Sequence, residues 1–319
     1  MKIVSLFSGA GGLDLGLRNA GHDLIWANDI DKDAVDTYRH NIGNHIVLAD
    51  IADLANDDIP SGDVVVGGFP CQGFSLANLR RSGEDKRNKL YMQFLRVVTT
   101  TRPLYFIAEN VRGILSLEGG DAIKRIVSDF SSAGYRVKYE LFNAADFGVP
   151  QSRLRVIIAG TRSDLPTEAD FLFPATTHAR KPKDNQLPWV SIADGIKDVP
   201  DADTHPMAVP NQNYSRYKIT NRNFTGHRTT DPSKPCPTIL ARGDGGGGVC
   251  AIQHPQNHRR LSVRESAAVQ TFPLDFEFFG AMNSQYRQVG NAVAVKFAEQ
   301  LGVSLTHAAQ RLGHSKKVA

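Results

Sequence analysis

The sequence predicts an α/β protein, with a mostly parallel sheet covered by helices on both faces and a smaller, irregular, strand-rich domain. Two observations carry this. Up to residue 160, short Val, Ile and Leu runs alternate with helix-like segments. Continuous apolar runs mark strands buried on both faces, and such strands are joined by helical crossovers. From about residue 164 to 258 the periodicity is lost, and Pro, Asn, Thr, Gly and basic residues dominate.

The elements follow in order. "KIVSLF" reads as a strand, then a glycine turn, then "GLDLGLRNA" as a helix. "DLIWAND" is a strand and "DKDAVDTYRHN" a helix, while "HIVLAD" and "DVVVGGF" are strands. "KLYMQFLRVVTTT" is a helix, "LYFIAEN" a strand, "DAIKRIVSDFSSAG" a helix, and "YRVKYELF" and "RVIIAG" the closing strands. "PATTHARKPKDNQLPW" and its successors lack periodicity, and "RKPK" within it reads as solvated surface. Helix returns in "SVRESAAVQTFP" and in "NAVAVKFAEQLGVSLTHAAQRL", whose apolar stripe packs back onto the first domain.

With 319 residues, 41% hydrophobic and 22% charged, the chain has an ordinary globular composition. A net charge of +4 permits a nucleic-acid partner without requiring one. The three cysteines, Cys71, Cys236 and Cys250, form no CxxC pair. That argues against a metal site and against a disulfide framework, and fits a reducing cytoplasm. No stretch is long enough to span a bilayer, and the N-terminus meets glycines too soon for a signal peptide.

"LFSGAGGLDLGL" (6–17) lies between strand and helix, where Gly9, Gly11 and Gly12 let the backbone approach a ligand. Asp29 ends the second strand and is placed to hold ribose hydroxyls, and Asp50 ends the third, within reach of an adenine amino group. These features indicate a nucleoside cofactor, NAD or S-adenosylmethionine. "GGFPCQGFS" (67–75) raises a sharper question. A lone cysteine is commonly a small buried hydrophobe, but one at a strand tip between glycines can also be a nucleophile. Glu109 ends an apolar strand, where a carboxylate is costly unless paired or at work. Alternation puts Arg153 and Arg155 on one face.

Six ordered motifs resemble those of the DNA (cytosine-5)-methyltransferases: "FSGAGGLDLGL", "GGFPCQGFS", "AENV", "QSRLRVIIAG", "RRLSVRESAAVQTFP" and "QVGNAVAV". The resemblance covers nearly the whole chain. It implies a Rossmann-like S-adenosylmethionine-dependent domain over 1–175 and 284–319, with a target-recognition domain over 176–283. It implies Cys71 as nucleophile, with Glu109, Arg153 and Arg155 around the target base. It implies cofactor contacts from Phe7, Gly9, Gly11, Gly12, Leu13, Asp29, Ile30, Asp50, Ile51, Pro70, Leu90, Asn291 and Val293. Ile30 stands where many members carry a large aromatic, so this adenine face lacks that ring.

"QGFSLANLRRSGEDKRNK" (72–89) resembles the family's active-site loop, against the plain alternative of a surface loop. DNA contacts are expected from Gln72, Ser75, Arg80, Arg81, Lys86, Arg87 and Lys89, and from Thr238 and Arg242 in "CPTILARGDGGGGV". Cys236 and Cys250 read as bystanders. The expectation is therefore a cytoplasmic, monomeric restriction-modification enzyme acting on double-stranded DNA. It would use S-adenosylmethionine, release S-adenosylhomocysteine, need no metal, and leave cleavage to a separate endonuclease. Three alternatives compete: a tRNA methyltransferase, which typically carries threonine where Ser75 stands, a non-catalytic member, and a dehydrogenase. The second is opposed by Cys71 and Glu109, and the third explains neither the cysteine motif nor the C-terminal motifs.

Overall fold

The computed structural model describes residues 1–69, 88–216, 229–241, 252–256 and 259–318. Seven strands form the main sheet: β1 (Lys2–Leu6), β2 (Asp23–Asp29), β3 (Ile46–Leu48), β4 (Val64–Gly67), β5 (Tyr105–Val111), β6 (Tyr135–Asn143) and β8 (Leu154–Arg162). Their spatial order is β3-β2-β1-β4-β5-β8-β6. The first five run parallel, and β8 runs antiparallel to both β5 and β6. The shorter pairs are β7 (Gln151–Ser152) with β11 (Cys236–Pro237), and β9 (His178–Ala179) with β10 (Leu187–Pro188).

Alternation along each strand divides the core in two. Ile3, Val64, Val66, Tyr105 and Ile107 face helix α1 (Gly12–Asn19) and the C-terminal helix Val295–Val318, meeting Leu17, Phe297 and Leu301. Val4, Val65, Phe106, Ala108 and Ile158 face the helices Asn88–Thr101 and Asp121–Ser132, meeting Phe94, Ile126 and Phe130. Each apolar run thus supplies both layers, because successive side chains leave a strand on opposite faces. Phe106 stacks on Phe130 at 4.2 Å between ring centroids.

The reversed strand is the antiparallel part of this mostly parallel sheet. The connection from β6 to β8 is confined to residues 144–153 and holds only a short 3-10 turn and β7. A parallel return needs a crossover of a dozen or more residues, so this link can close only an antiparallel pair. The reversal places the amino end of β8 beside the carboxyl ends of β4 and β5.

Two elements differ from the sequence reading. "HIVLAD" contributes only three residues to its strand, and helix Met282–Asn291 precedes the C-terminal helix as a separate element. A third apolar cluster joins Ile192, Cys236, Ile239, Val263, Phe272 and Tyr286 to Ala10, Leu15 and Val295. The irregular region is therefore packed against the glycine loop and α1. Among the described residues, no helix is long and apolar enough to cross a membrane.

Phe106→Ala should destabilise the protein by about 3–5 kcal/mol, the usual range for emptying a buried aromatic site. Denaturant unfolding checks this, and a loss below about 1 kcal/mol would show that the aromatic layer collapses around the gap.

Candidate active site

A cavity of about 610 Å³ opens at the edge of the sheet where the parallel strands end. Its lining comes from the glycine loop, the ends of β2, β4 and β5, the residues just after β3, the start of β8, residues 239–241 and the segment 287–293. Phe7, Gly9, Gly12, Leu13, Asp29, Ile30, Asp50, Ile51, Leu90, Asn291 and Val293 all line it, together with Glu109 and Arg155. These eleven of the residues assigned to the cofactor, and two of those assigned to chemistry, thus share one space.

The glycine loop is shaped by two constraints. Gly11 caps α1 with a φ of 86°, a left-handed conformation that costs glycine little. It lies behind the cavity rather than on its lining, where a Cβ would strike Ile42 and the Tyr38 ring. Gly12 meets the opposite wall, and a Cβ there would come within 2.4 Å of the Val293 carbonyl oxygen. The amide of Gly9 donates to Asp29 Oδ2 at 2.7 Å, and Asp31 N donates to Asp29 Oδ1 at 2.8 Å. Burial pushes the Asp29 carboxyl above the usual carboxylate range, opposed by these amides. Asp50 accepts from Ala52 N at 3.0 Å, and Ile30 is 68% exposed.

Beneath the loop lies a carboxylate that the sequence reading did not single out. Asp14 is fully buried and accepts from Ser5 Oγ at 2.7 Å and from the Tyr38 hydroxyl at 2.8 Å. Tyr38 also meets His45 Nε2 at 3.0 Å. Burial pushes the Asp14 carboxyl up to about 6, against the two hydrogen bonds that favour its charge. Its signal, an acid inside an otherwise apolar helix start, was visible in "GLDLGL".

At the other end of the cavity, Glu109 Oε1 and Arg155 Nε approach to 2.6 Å. Neither atom has an aligned hydrogen-bond partner, so the contact is chiefly Coulombic. The pair follows from the register that sets Val111 opposite Arg155 in the antiparallel ladder. Gly68 leaves room for this carboxylate, since a Cβ there would lie 3.2 Å from Glu109 Oε2. The neighbouring Asn110 donates from Nδ2 to the Phe69 carbonyl at 2.9 Å. Phe69 in turn packs against Tyr91 and Phe94. The chain entering "PCQG" is thereby anchored, and Asn110 was legible only as a neighbour of Glu109.

Arg153 takes a different position from Arg155. Its guanidinium is buried behind the cavity and donates to the carbonyls of Ile239 at 3.0 Å, and Gly290 and Ala292 at 2.9 Å each. It organises the wall and does not line the cavity. Burial pulls it down to about 9, so it remains a cation at neutral pH. Thr238 is half-buried and donates to the Ser152 carbonyl at 2.7 Å. Cys236 is buried in the apolar cluster around β11. Pro70, Cys71, Gln72, Ser75, Arg80, Arg81, Lys86, Arg87, Arg242 and Cys250 lie outside the described residues, as does the side chain of Lys89. Among the described residues no group of three or more His, Cys, Asp or Glu is placed to hold a metal.

Comparison with known proteins decides the family. The family model described as C-5 cytosine-specific DNA methylase matches residues 1–307. The chain belongs to the C-5 cytosine-specific DNA methylases. Among relatives, type II methyltransferase M.NgoFVII of Neisseria gonorrhoeae is 37% identical, the alignment covering 95% of this chain and 86% of that one. Type II methyltransferase M.MthTI of Methanothermobacter thermautotrophicus is 38% identical, with 94% and 96% covered. A crystal structure of an Escherichia coli prophage protein described as a DNA modification methyltransferase superposes with a TM-score of 0.74 at 25% identity, covering 97% of this chain and 99% of that one. The Dnmt2 methyltransferase of S. pombe shares the fold, with a TM-score of 0.71 at 20% identity over 96% of this chain and 98% of its own. This methylase is a DNA (cytosine-5-)-methyltransferase, and the cavity is its candidate active site.

The buried acid under the glycine loop gives a pH test. The Asp14 carboxyl is raised from 3.8 to about 6, so the folded state holds its proton more tightly than the unfolded chain. Its favourable contribution is full below about pH 4 and is lost as pH rises through about 6. Asp14→Asn should therefore flatten the fall in unfolding free energy between pH 4 and 6. An unchanged slope in chemical denaturation would show that Asp14 titrates normally.

Proposed function

We propose that the enzyme methylates carbon 5 of a cytosine flipped out of a specific duplex DNA sequence, through a covalent adduct of Cys71 at carbon 6. The observation that carries this reading is the Glu109–Arg155 pair, set in the same cavity as the glycine loop. Asn110 fixes Phe69 two residues before Cys71, which favours a thiol delivered to that pair.

The cavity residues suit S-adenosylmethionine. Its volume falls within the range of cofactor sites, with Asp29 and Asp50 at the ribose and adenine positions and Phe7, Leu13, Ile51, Leu90 and Val293 as apolar surface. When bound, S-adenosylmethionine supplies a methyl group activated by a sulfonium, leaving S-adenosylhomocysteine. The chain's own groups do the rest. A free thiol is only about 3% ionised at pH 7, so the site must favour the Cys71 thiolate or couple its attack to proton transfer. The thiolate adds to carbon 6, which makes carbon 5 nucleophilic. Glu109 holds the ring N3 and amino group, and Arg155 holds O2, where negative charge develops. Removal of the carbon 5 proton then expels the thiolate. The attack comes from above the ring face, which is stacked in a duplex, so the base must leave the helix.

Residues 1–175 with 284–319 are the catalytic domain on this reading, and 176–283 the recognition domain. Gln72, Ser75, Arg80, Arg81 and Lys89 of the catalytic domain and Thr238 and Arg242 of the recognition domain are the DNA contacts. The type II names of the relatives favour a restriction-modification role with a separate endonuclease. A monomeric enzyme in the cytoplasm completes the reading.

Glu109→Gln should slow turnover about 10²-fold or more, the usual worth of a positioned acid. A rate near wild type in a labelled-methyl assay would make Glu109 structural.

Duplex DNA carrying 5-fluorocytosine at the target tests the whole mechanism. After methyl transfer carbon 5 has no proton to lose, so enzyme and DNA should stay joined through Cys71 and survive denaturing electrophoresis. Trapping should need the cofactor and vanish in Cys71→Ser. Absence of a shifted band with active enzyme would rule out the adduct.

A further inference from the structure

Five carboxylates and two cations line the cavity among the described residues: Asp14, Asp29, Asp31, Asp50 and Glu109 against Arg155 and Arg287. Arg155 is committed to Glu109 at the base end. Arg287 stands one helical turn before Asn291 in helix Met282–Asn291, on the wall that faces the glycine loop. Its Nη2 donates to Asp31 Oδ2 at 2.8 Å and to Ser284 Oγ at 3.1 Å. Its Nε and Nη1 have no partner among the described residues, and the side chain is 38% exposed. One nitrogen is thus pinned while the rest of the fork stays available in a cavity dominated by negative charge.

The cofactor assigned above carries one anionic group, the α-carboxylate of its methionine part. In this cavity that group faces repulsion from acids on several elements, and an anion there needs a compensating donor. Planar guanidinium donors match a carboxylate in geometry as well as charge. We infer that Arg287 is the cofactor-carboxylate contact of this enzyme, held in place by Asp31, and that it selects cofactors bearing that carboxylate. The inference rests on the S-adenosylmethionine reading and deepens it. On this assignment the Asp31–Arg287 ion pair is a positioning device that ties the ribose end of the cavity to the methionine end. The exposed Ile30 beside it supplies no aromatic face, so a larger share of cofactor affinity falls to this contact.

The test compares S-adenosylmethionine with its decarboxylated analogue, which keeps the sulfonium and the amine. Binding to the full-length protein without DNA is measured by calorimetry, with thermal melting as a check on folding. Wild type should prefer S-adenosylmethionine by about tenfold or more, the range of a charge-assisted pair. Arg287→Gln should lose that preference by weakening S-adenosylmethionine alone, with the analogue unchanged within about twofold. Asp31→Asn keeps the cation but loosens its anchor, so it should reduce the preference, again by weakening S-adenosylmethionine and not the analogue. Arg287→Lys keeps the charge without the fork and should fall between, which serves if the Gln variant does not fold. Equal weakening of both ligands by Arg287→Gln would overturn the inference and leave Arg287 as a structural clasp. Failure of wild type to bind either ligand would instead overturn the S-adenosylmethionine reading.

Discussion

Three carbonyls, from Ile239, Gly290 and Ala292, converge on the buried guanidinium of Arg153, and the far wall of the cavity depends on that convergence. Gly290 and Ala292 close helix Met282–Asn291, while Ile239 follows β11, so one cation joins two stretches far apart in sequence. Carbonyls turned inward at chain ends need donors, and one planar cation can satisfy several at once. Gln270 works alongside it, donating to the carbonyls of Val289 at 2.9 Å and Ala292 at 3.1 Å. With the wall fixed, Val293 can be held against Gly12 at a distance that permits no side chain between them. The width of the cavity is therefore set by polar contacts behind it rather than by the groups that face it.

The cavity divides electrostatically along its length. Toward the glycine loop, Asp14, Asp29, Asp31 and Asp50 surround a region crossed by backbone amides, which suits a cationic, polyhydroxylated ligand. Toward β5 and β8, one carboxylate and one guanidinium hold each other at 2.6 Å, and Arg155 Nη1 donates to the Leu154 carbonyl at 2.8 Å, so Glu109 Oε2 and Arg155 Nη2 are the atoms left to face the cavity. The reversed β8 is what brings these halves together. Were β8 parallel, its amino end would lie at the opposite edge of the sheet, and Arg155 could not meet Glu109.

Much of this was legible in the sequence because strand ends were legible. Asp29, Asp50 and Glu109 each close an apolar run, and parallel strands deliver such residues to a common edge. The glycine loop could be read because backbone shape is written into residue type there. Arg153 and Arg155 were equivalent by alternation, yet they diverge in the fold. Arg153 precedes β8 and turns back toward residues 239 and 290–292, while Arg155 is held in register beside β5. That difference rests on contacts across more than a hundred residues, which local periodicity does not encode. The same holds for Asp14 with Tyr38 and for Asp31 with Arg287, each an ion or hydrogen-bond partner chosen by tertiary packing.

The first helix of the chain packs on the last. Leu13 and Leu17 of α1 share a core with Phe297, Leu301 and Leu305, and His22 Nε2 meets the Gly302 carbonyl at 2.8 Å. Gly16 is so close to the C-terminal helix that a Cβ would lie 2.4 Å from Ala298 Cβ. The glycine loop and the wall opposite it are thus separated by most of the described sequence. Closing so long a loop carries an entropic cost that local contacts alone do not offset. The two walls of the cavity therefore come together only when these two helices dock.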